Sequence, residues 1–94
     1  MSERTAPSIA KLDVLLPLLK ALPASPDQAS LVEEAEALRR AVSAFHMEAI
    51  RFRMHSVDRL LKAVSAPAPA AQAFEDLRHA LEAAGFQTRS HAAP

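Results

Sequence analysis

Apolar side chains recur along this chain at helical spacing, and nowhere do they alternate with polar ones as a half-buried strand requires. Ile9, Leu12, Leu16 and Leu19 mark a first stripe, with Leu15 and Leu22 beside it. The spacing predicts a helix over about residues 8–22, with Ser8 or Thr5 as N-cap. Pro17 falls inside that run, removes a backbone donor and disfavours helical backbone at Leu16, so a kink or break is expected there.

A second helix has a stronger start signal. Ser25-Pro26-Asp27-Gln28 supplies an N-cap serine, a proline at the first helical position, an acid in the first turn and a glutamine able to close a capping box. No Gly or Pro follows until Pro67. The reading is one continuous helix over about 26–65, roughly 40 residues and 60 Å long. It carries two stripes. Leu31, Ala35, Leu38, Val42, Phe45, Ala49 and Phe52 are spaced 4-3-4-3-4-3, and Met47, Ile50, Met54, Val57, Leu61 and Val64 are spaced 3-4-3-4-3. On one helix these seams are offset by roughly a quarter to a third of a turn. They overlap from Phe45 to Met54, and Glu33, Arg40, Glu48, Arg51, His55, Asp58 and Lys62 form the polar face.

The third helix is expected over about 69–84, with Phe74, Leu77, Leu81 and Ala84 as its stripe. Gly85 stands where a left-handed residue ends a helix, and Phe86 is placed to fold back on Leu81 in a Schellman motif. The expected fold is therefore all-α, three helices short-long-short. Helices 1 and 3 lie antiparallel on the two halves of the long one, each on its own seam. Residues 8–86 form a single helical domain, with a flexible N-terminus over 1–7 and a disordered tail over 87–94. Such a core is only two helices thick, which points to a helical bundle completed by dimerisation.

Charge order bears on that dimer. Asp27 to Glu36 carries four acids and no base, whereas Arg39 to Lys62 carries six bases and two acids. Antiparallel long helices would set Glu33, Glu34 and Glu36 near Arg59 and Lys62 of a partner; the same order also suits the helix dipole. Over the whole chain of 94 residues, 11 basic and 11 acidic side chains cancel, so no net charge drives binding to nucleic acid or to a membrane surface. The absence of Cys excludes a disulfide framework and thiolate chemistry, and a single Gly excludes a phosphate-cradling loop. The Leu-rich run from Ile9 to Leu22 is interrupted by Lys11, Asp13, Pro17 and Lys20. It fits neither a secretory signal nor a membrane span, and the expected location is the cytoplasm.

Candidate chemistry is sparse. His46 and His55 lie on opposite sides of one helix. His55 with Asp58, and Glu75 with His79, could each supply two metal ligands, short of a closed site, so no cofactor is expected. Arg39, Arg40, Arg51, Arg53, Arg59 and Lys62 point in several directions with no aromatic platform, which argues against nucleic acid. No catalytic cluster of Ser, His and acid can be placed, and the expectation is a non-catalytic module. His46 and Arg53 stand out because they fall between the apolar seams, where they either snorkel at an edge or meet a carboxylate such as Asp13 or Asp76, or a partner. The surface predicted for self-association, as a homodimer, or for docking another helical protein comprises Leu38, Val42, Phe45, His46, Met47, Ile50, Phe52, Arg53, Met54, Val57 and Leu61.

Two outline resemblances suggest alternatives. His55, among Glu48, Arg51 and Arg59, resembles in placement the exposed mid-helix His of histidine phosphotransfer and kinase dimerisation domains. That would imply phosphoryl transfer at His55, although Ser56-Val57-Asp58 follows where those families carry Lys-Gly or Glu-Leu-Arg. Leu18 to Leu61, through Pro23-Ala24-Ser25-Pro26-Asp27, is similar in outline to the helical hairpins of type III secretion needle and rod subunits. That would imply a small subunit or chaperone of a secretion apparatus. Those subunits end with the long helix, and here about 30 further residues follow.

Overall fold

Helix-start chemistry acts where the sequence places it. In the computed structural model, which describes residues 3–89, Ser25 Oγ accepts the Gln28 backbone N–H at 3.0 Å and Pro26 opens the helix it caps. Gln28 does not close the capping box. Its side-chain amide instead donates to the Leu19 carbonyl at 3.0 Å, satisfying an end group of the preceding helix. The elements are α1 (Ala6–Lys20), α2 (Pro26–Ser43), α3 (Met47–Ala63) and α4 (Ala68–Ala83). α1 runs through Pro17 without a break. The proline lies in the helix's last turn, where one lost donor is tolerated, and buried Leu15, Leu16 and Leu19 hold the turn against the core.

The expected long central helix does not exist. It breaks at Phe45 into α2 and α3, and the described chain is four helices of similar length rather than short-long-short. Phe45 adopts φ +59°, the left-handed backbone that ends a helix. The His46 N–H donates to the Ala41 carbonyl at 3.0 Å and the Phe45 N–H to Val42 at 3.2 Å, a complete Schellman cap without glycine. The same cap recurs at Ser65 (φ +50°) between α3 and α4, and at Gly85 (φ +93°) after α4, where Phe86 folds back on Leu81 as its position predicts.

Left-handed backbone at a residue with a side chain costs about 1–2 kcal/mol. What offsets it is the phase of the two seams. On a straight helix they face different directions and no single core covers both. Folded back at Phe45, each becomes the inner face of its own helix. Leu31, Ala35, Leu38 and Val42 are fully buried on α2, as are Ile50, Met54 and Val57 on α3. Each large apolar side chain so buried is worth about 1.5–3 kcal/mol, so the fold-back wins.

α1 packs against α2 and α4, and α2 against α3. Arg4, just before α1, reaches the end of α4, so that pair runs antiparallel. α3 and α4 are not among the closely packed pairs. The core gathers Leu12, Leu15 and Leu19 from α1 and Phe74, Leu77 and Leu81 from α4 onto the two seams. The longest dimension is 33 Å, about half the length required of the expected helix. Bundle formation by dimerisation is thereby removed as a requirement of the fold, because both seams close within one chain.

The charge order is used inside the chain as well. Arg53 of α3 donates to Glu34 of α2 at 2.6 Å, Arg39 of α2 donates to Asp13 of α1 at 2.9 Å, and Lys20 lies 3.7 Å from Glu36. Of these, Arg53–Glu34 joins an acid early in α2 to a base later in the chain, and the other two tie α1 to α2.

Candidate interaction surface

With the seams turned inward, the residues predicted for a partner separate into two groups. Leu38, Val42, Ile50, Met54 and Val57 have no exposed surface, and Leu61 is nearly covered; all six belong to the chain's own core. Phe45, His46, Met47 and Phe52 remain exposed, and Arg53 is half-buried. Among the described residues Phe52 is the most accessible large apolar side chain at 59 %, followed by Val14 on α1 at 57 % and Met47 at 51 %.

The exposure of Phe52 follows from the break. Its stripe runs inward on α2, but α3 restarts with a different phase and turns position 52 out. On α3 it falls in a row with Glu48, His55, Arg59 and Lys62, all exposed. The Arg53 guanidinium carbon lies 5.3 Å from the Phe52 ring centroid, within cation–π range, while its Nη1 holds Glu34. Glu48 accepts two bonds of 2.9 Å from Arg51, which also donates to Gln87 at 3.3 Å. Lys62 donates to Asp58 at 3.1 Å. Arg59 forms no ion pair among the described residues. This face is therefore one exposed aromatic ring set among ion pairs.

His46 and Arg53 are brought together. They line a groove of about 280 Å³ between α2 and α3 with Arg40, Ala37, Ala41, Ala44 and Ala49. His46 is the N-cap residue of α3, its side chain making no capping bond. Arg53 finds Glu34, not Asp13 or Asp76. A second cleft, of about 290 Å³, opens where α3 and α4 diverge. Leu61, Ala66, Ala71 and Phe74 supply its apolar wall, and Asp58, Lys62, Ser65 and Glu75 stand around it.

Two polar clusters had no counterpart in the sequence reading. Arg4 lies against the rings of both Phe45 and Phe86, 5.6 and 5.1 Å from their centroids, and its Nε donates to the Ala84 carbonyl at 2.7 Å. The rings themselves are 5.7 Å apart. Arg78, 5 % exposed, donates through Nη1 to the carbonyl and hydroxyl oxygens of Thr88 at 3.0 and 3.2 Å. Its Nε sits 3.3 Å from Glu75, too poorly aligned for a hydrogen bond. Thr88 is itself buried, and its hydroxyl donates to Glu82 at 2.7 Å. Gln87 to Arg89 thus return to the body of the fold; residues 90–94 of the expected tail lie outside the described residues.

Among the described residues no three His, Asp or Glu side chains converge to hold a metal ion, and no helix is long and apolar enough to cross a membrane. The hydrogen bond between Arg39 and Asp13 holds the Asp13 carboxyl below its usual range and pushes the Arg39 guanidinium above its own. Compared with protein-family models, with curated proteins and with solved structures, the chain finds no match in any of the three.

Proposed function

We propose that this chain is a non-catalytic helical interaction module of the cytoplasm that engages its partner through the outer face of α3, centred on Phe52. The observation that carries the reading is the 59 % exposure of that ring in a chain that buries Phe74 and Phe86 almost completely. Keeping a phenyl ring in water forgoes about 1.5–3 kcal/mol of burial. Aromatic and arginine side chains are the usual anchors of protein interfaces, and here Arg53 already lies over the ring.

A photoreactive amino acid placed at position 52 in the source cells tests the proposal. His79, exposed on α4, supplies the control position. A discrete adduct from position 52 and none from position 79 is expected. Equal labelling from both, or no adduct from position 52, overturns the reading.

His55 favours a second reading. It is exposed near the middle of α3, one turn from Arg51 and Arg59, in a setting open to a phosphodonor. Phosphoryl transfer there predicts acid-labile label from a small phosphoramidate donor, lost in His55→Gln; failure to label the unmodified protein excludes it.

A further inference from the structure

We infer that the α2–α3 groove is an anion site for a phosphate group, carried by a small phosphomonoester or free in solution. The site is separate from the Phe52 surface and goes beyond the interaction reading, so either can fail alone.

The groove forms where the two helices leave the Phe45 turn. Ala37, Ala41 and Ala44 lie along one face of α2, and Ala49 and Arg53 stand one turn apart on α3. Alanines where larger side chains would meet leave a space of about 280 Å³. That is close to the lower limit of ligand pockets, about 300 Å³, and suits a phosphate with a few carbon atoms. Every polar side chain in the lining is a base: Arg40, His46 and Arg53.

The acids of this side of α2 stand outside the lining. Glu34 holds Nη1 of Arg53 at 2.6 Å, and Lys20 lies 3.7 Å from Glu36. Glu33 is seven residues from Arg40, about 10 Å along the helix. Arg40 is exposed and has no hydrogen-bond or ion-pair partner among the described residues, so its charge is uncompensated. Arg53 contributes donors rather than net charge. Glu34 and the Phe52 ring hold its guanidinium in place, and its Nε and Nη2 have no acceptor among the described residues. A guanidinium fixed in this way is the group that pairs two phosphate oxygens at once. His46 is exposed and supplies a ring N–H in either protonation state.

The N-terminus of α3 opens at the same end of the groove. His46 makes no side-chain cap, and the N–H groups of Met47, Glu48 and Ala49 have no backbone acceptor. Glu48, the acid of that first turn, is held by Arg51. The positive end of α3 therefore adds to the attraction of Arg40 for an anion.

An NMR titration of the isotope-labelled protein with inorganic phosphate and with glycerol phosphate, at constant ionic strength against chloride, tests the site. Saturable shifts are expected at the amides of Ala44 to Ala49 and at the Arg40 and Arg53 side chains, with a dissociation constant on the order of 1 mM for so open a groove. Tighter binding of the ester identifies a phosphomonoester and equal affinity identifies free phosphate; both uphold the site. Arg40→Gln should weaken binding about tenfold, the loss of one charge-assisted contact. Arg59→Gln removes the same charge from another exposed position, outside the groove, and should weaken it less than about twofold. Both side chains are exposed, so the spectra of both variants should keep the dispersion of the folded parent. No saturation by either probe, saturable shifts confined to residues outside the groove, or equal weakening in the two variants overturns the inference.

Discussion

Phe45 and Ser65 hold left-handed backbone at equivalent points in successive turns, yet their side chains are spent differently. Ser65 is exposed and its hydroxyl makes no hydrogen bond among the described residues. Ser65→Gly therefore removes the left-handed penalty at the cost of a more flexible unfolded chain, a net gain of about 0.5–1 kcal/mol. Its melting temperature should rise by several degrees. Phe45→Gly relieves the same backbone but deletes the ring that packs against Phe86 and Arg4, and should show no such gain. Thermal melts of the two variants side by side check this; an unchanged or lower melting point for Ser65→Gly contradicts it. Leu38 and Phe52 make a second pair. Both belong to one stripe in the sequence, but one has no exposed surface and the other is the most exposed Phe. Leu38→Ala should cost about 2–5 kcal/mol in denaturant unfolding. Phe52→Ala should fall within about 0.5 kcal/mol of the parent. Comparable losses at both positions would show that the stripe is buried along its whole length, as a continuous helix would bury it.

Between elements, the ion pairs report which helices are neighbours. Asp13 of α1 is held below its ordinary pKa by the hydrogen bond and charge of Arg39 on α2, against a smaller opposing effect of burial. A depressed carboxyl contributes stability above its unfolded pKa of about 3.9 and loses it as pH falls through the lower folded value. The melting-point difference between the parent and Asp13→Asn should be present at neutral pH and vanish in acid. It should also shrink in concentrated salt, because the pair is partly exposed. An NMR titration of Asp13 should return to the ordinary range in Arg39→Gln; an Asp13 pKa at or above that range in the parent refutes the pairing. Helix caps at Ser25 and Gly85 were legible in the sequence because serine and glycine act there through their own chemistry. The break at Phe45 was not, since neither Gly nor Pro marks it and a left-handed phenylalanine has no local signature. The signal was the phase shift between two stripes, which a straight helix satisfies by having two faces and a hairpin satisfies by folding them together. The candidate surface was half legible for the same reason. Phe45, His46, Met47 and Phe52 reach the surface, whereas Leu38, Val42, Ile50, Met54 and Val57 were apolar because the chain itself covers them.

Across the described molecule, the segment before α1 meets the end of α4. Arg4 joins the start of α1 to the α2–α3 turn and to the end of α4, and a Cβ at Gly85 would stand 3.0 Å from its Nη2. The segment after Gly85 continues this closure through Arg78. A buried guanidinium needs its donors met, and Thr88 meets Nη1 twice, by carbonyl and by hydroxyl, although its neighbours carry no apolar pattern. Ending the chain after Gln87 removes both acceptors and the hydroxyl that donates to Glu82. Water can replace part of what is lost, so the cost should be about 1–3 kcal/mol. That corresponds to a fall of roughly 4–8 °C in melting temperature per kcal/mol for a domain of this size. Thr88→Val keeps the carbonyl and should lose less. Arg78→Met supplies the control, since it removes the buried charge but retains apolar bulk against Phe74. In that background the same truncation should cost distinctly less, because no guanidinium remains to be abandoned. If truncation leaves the melting temperature of the parent unchanged, or costs the same with and without Arg78, the segment does not close the fold through this residue.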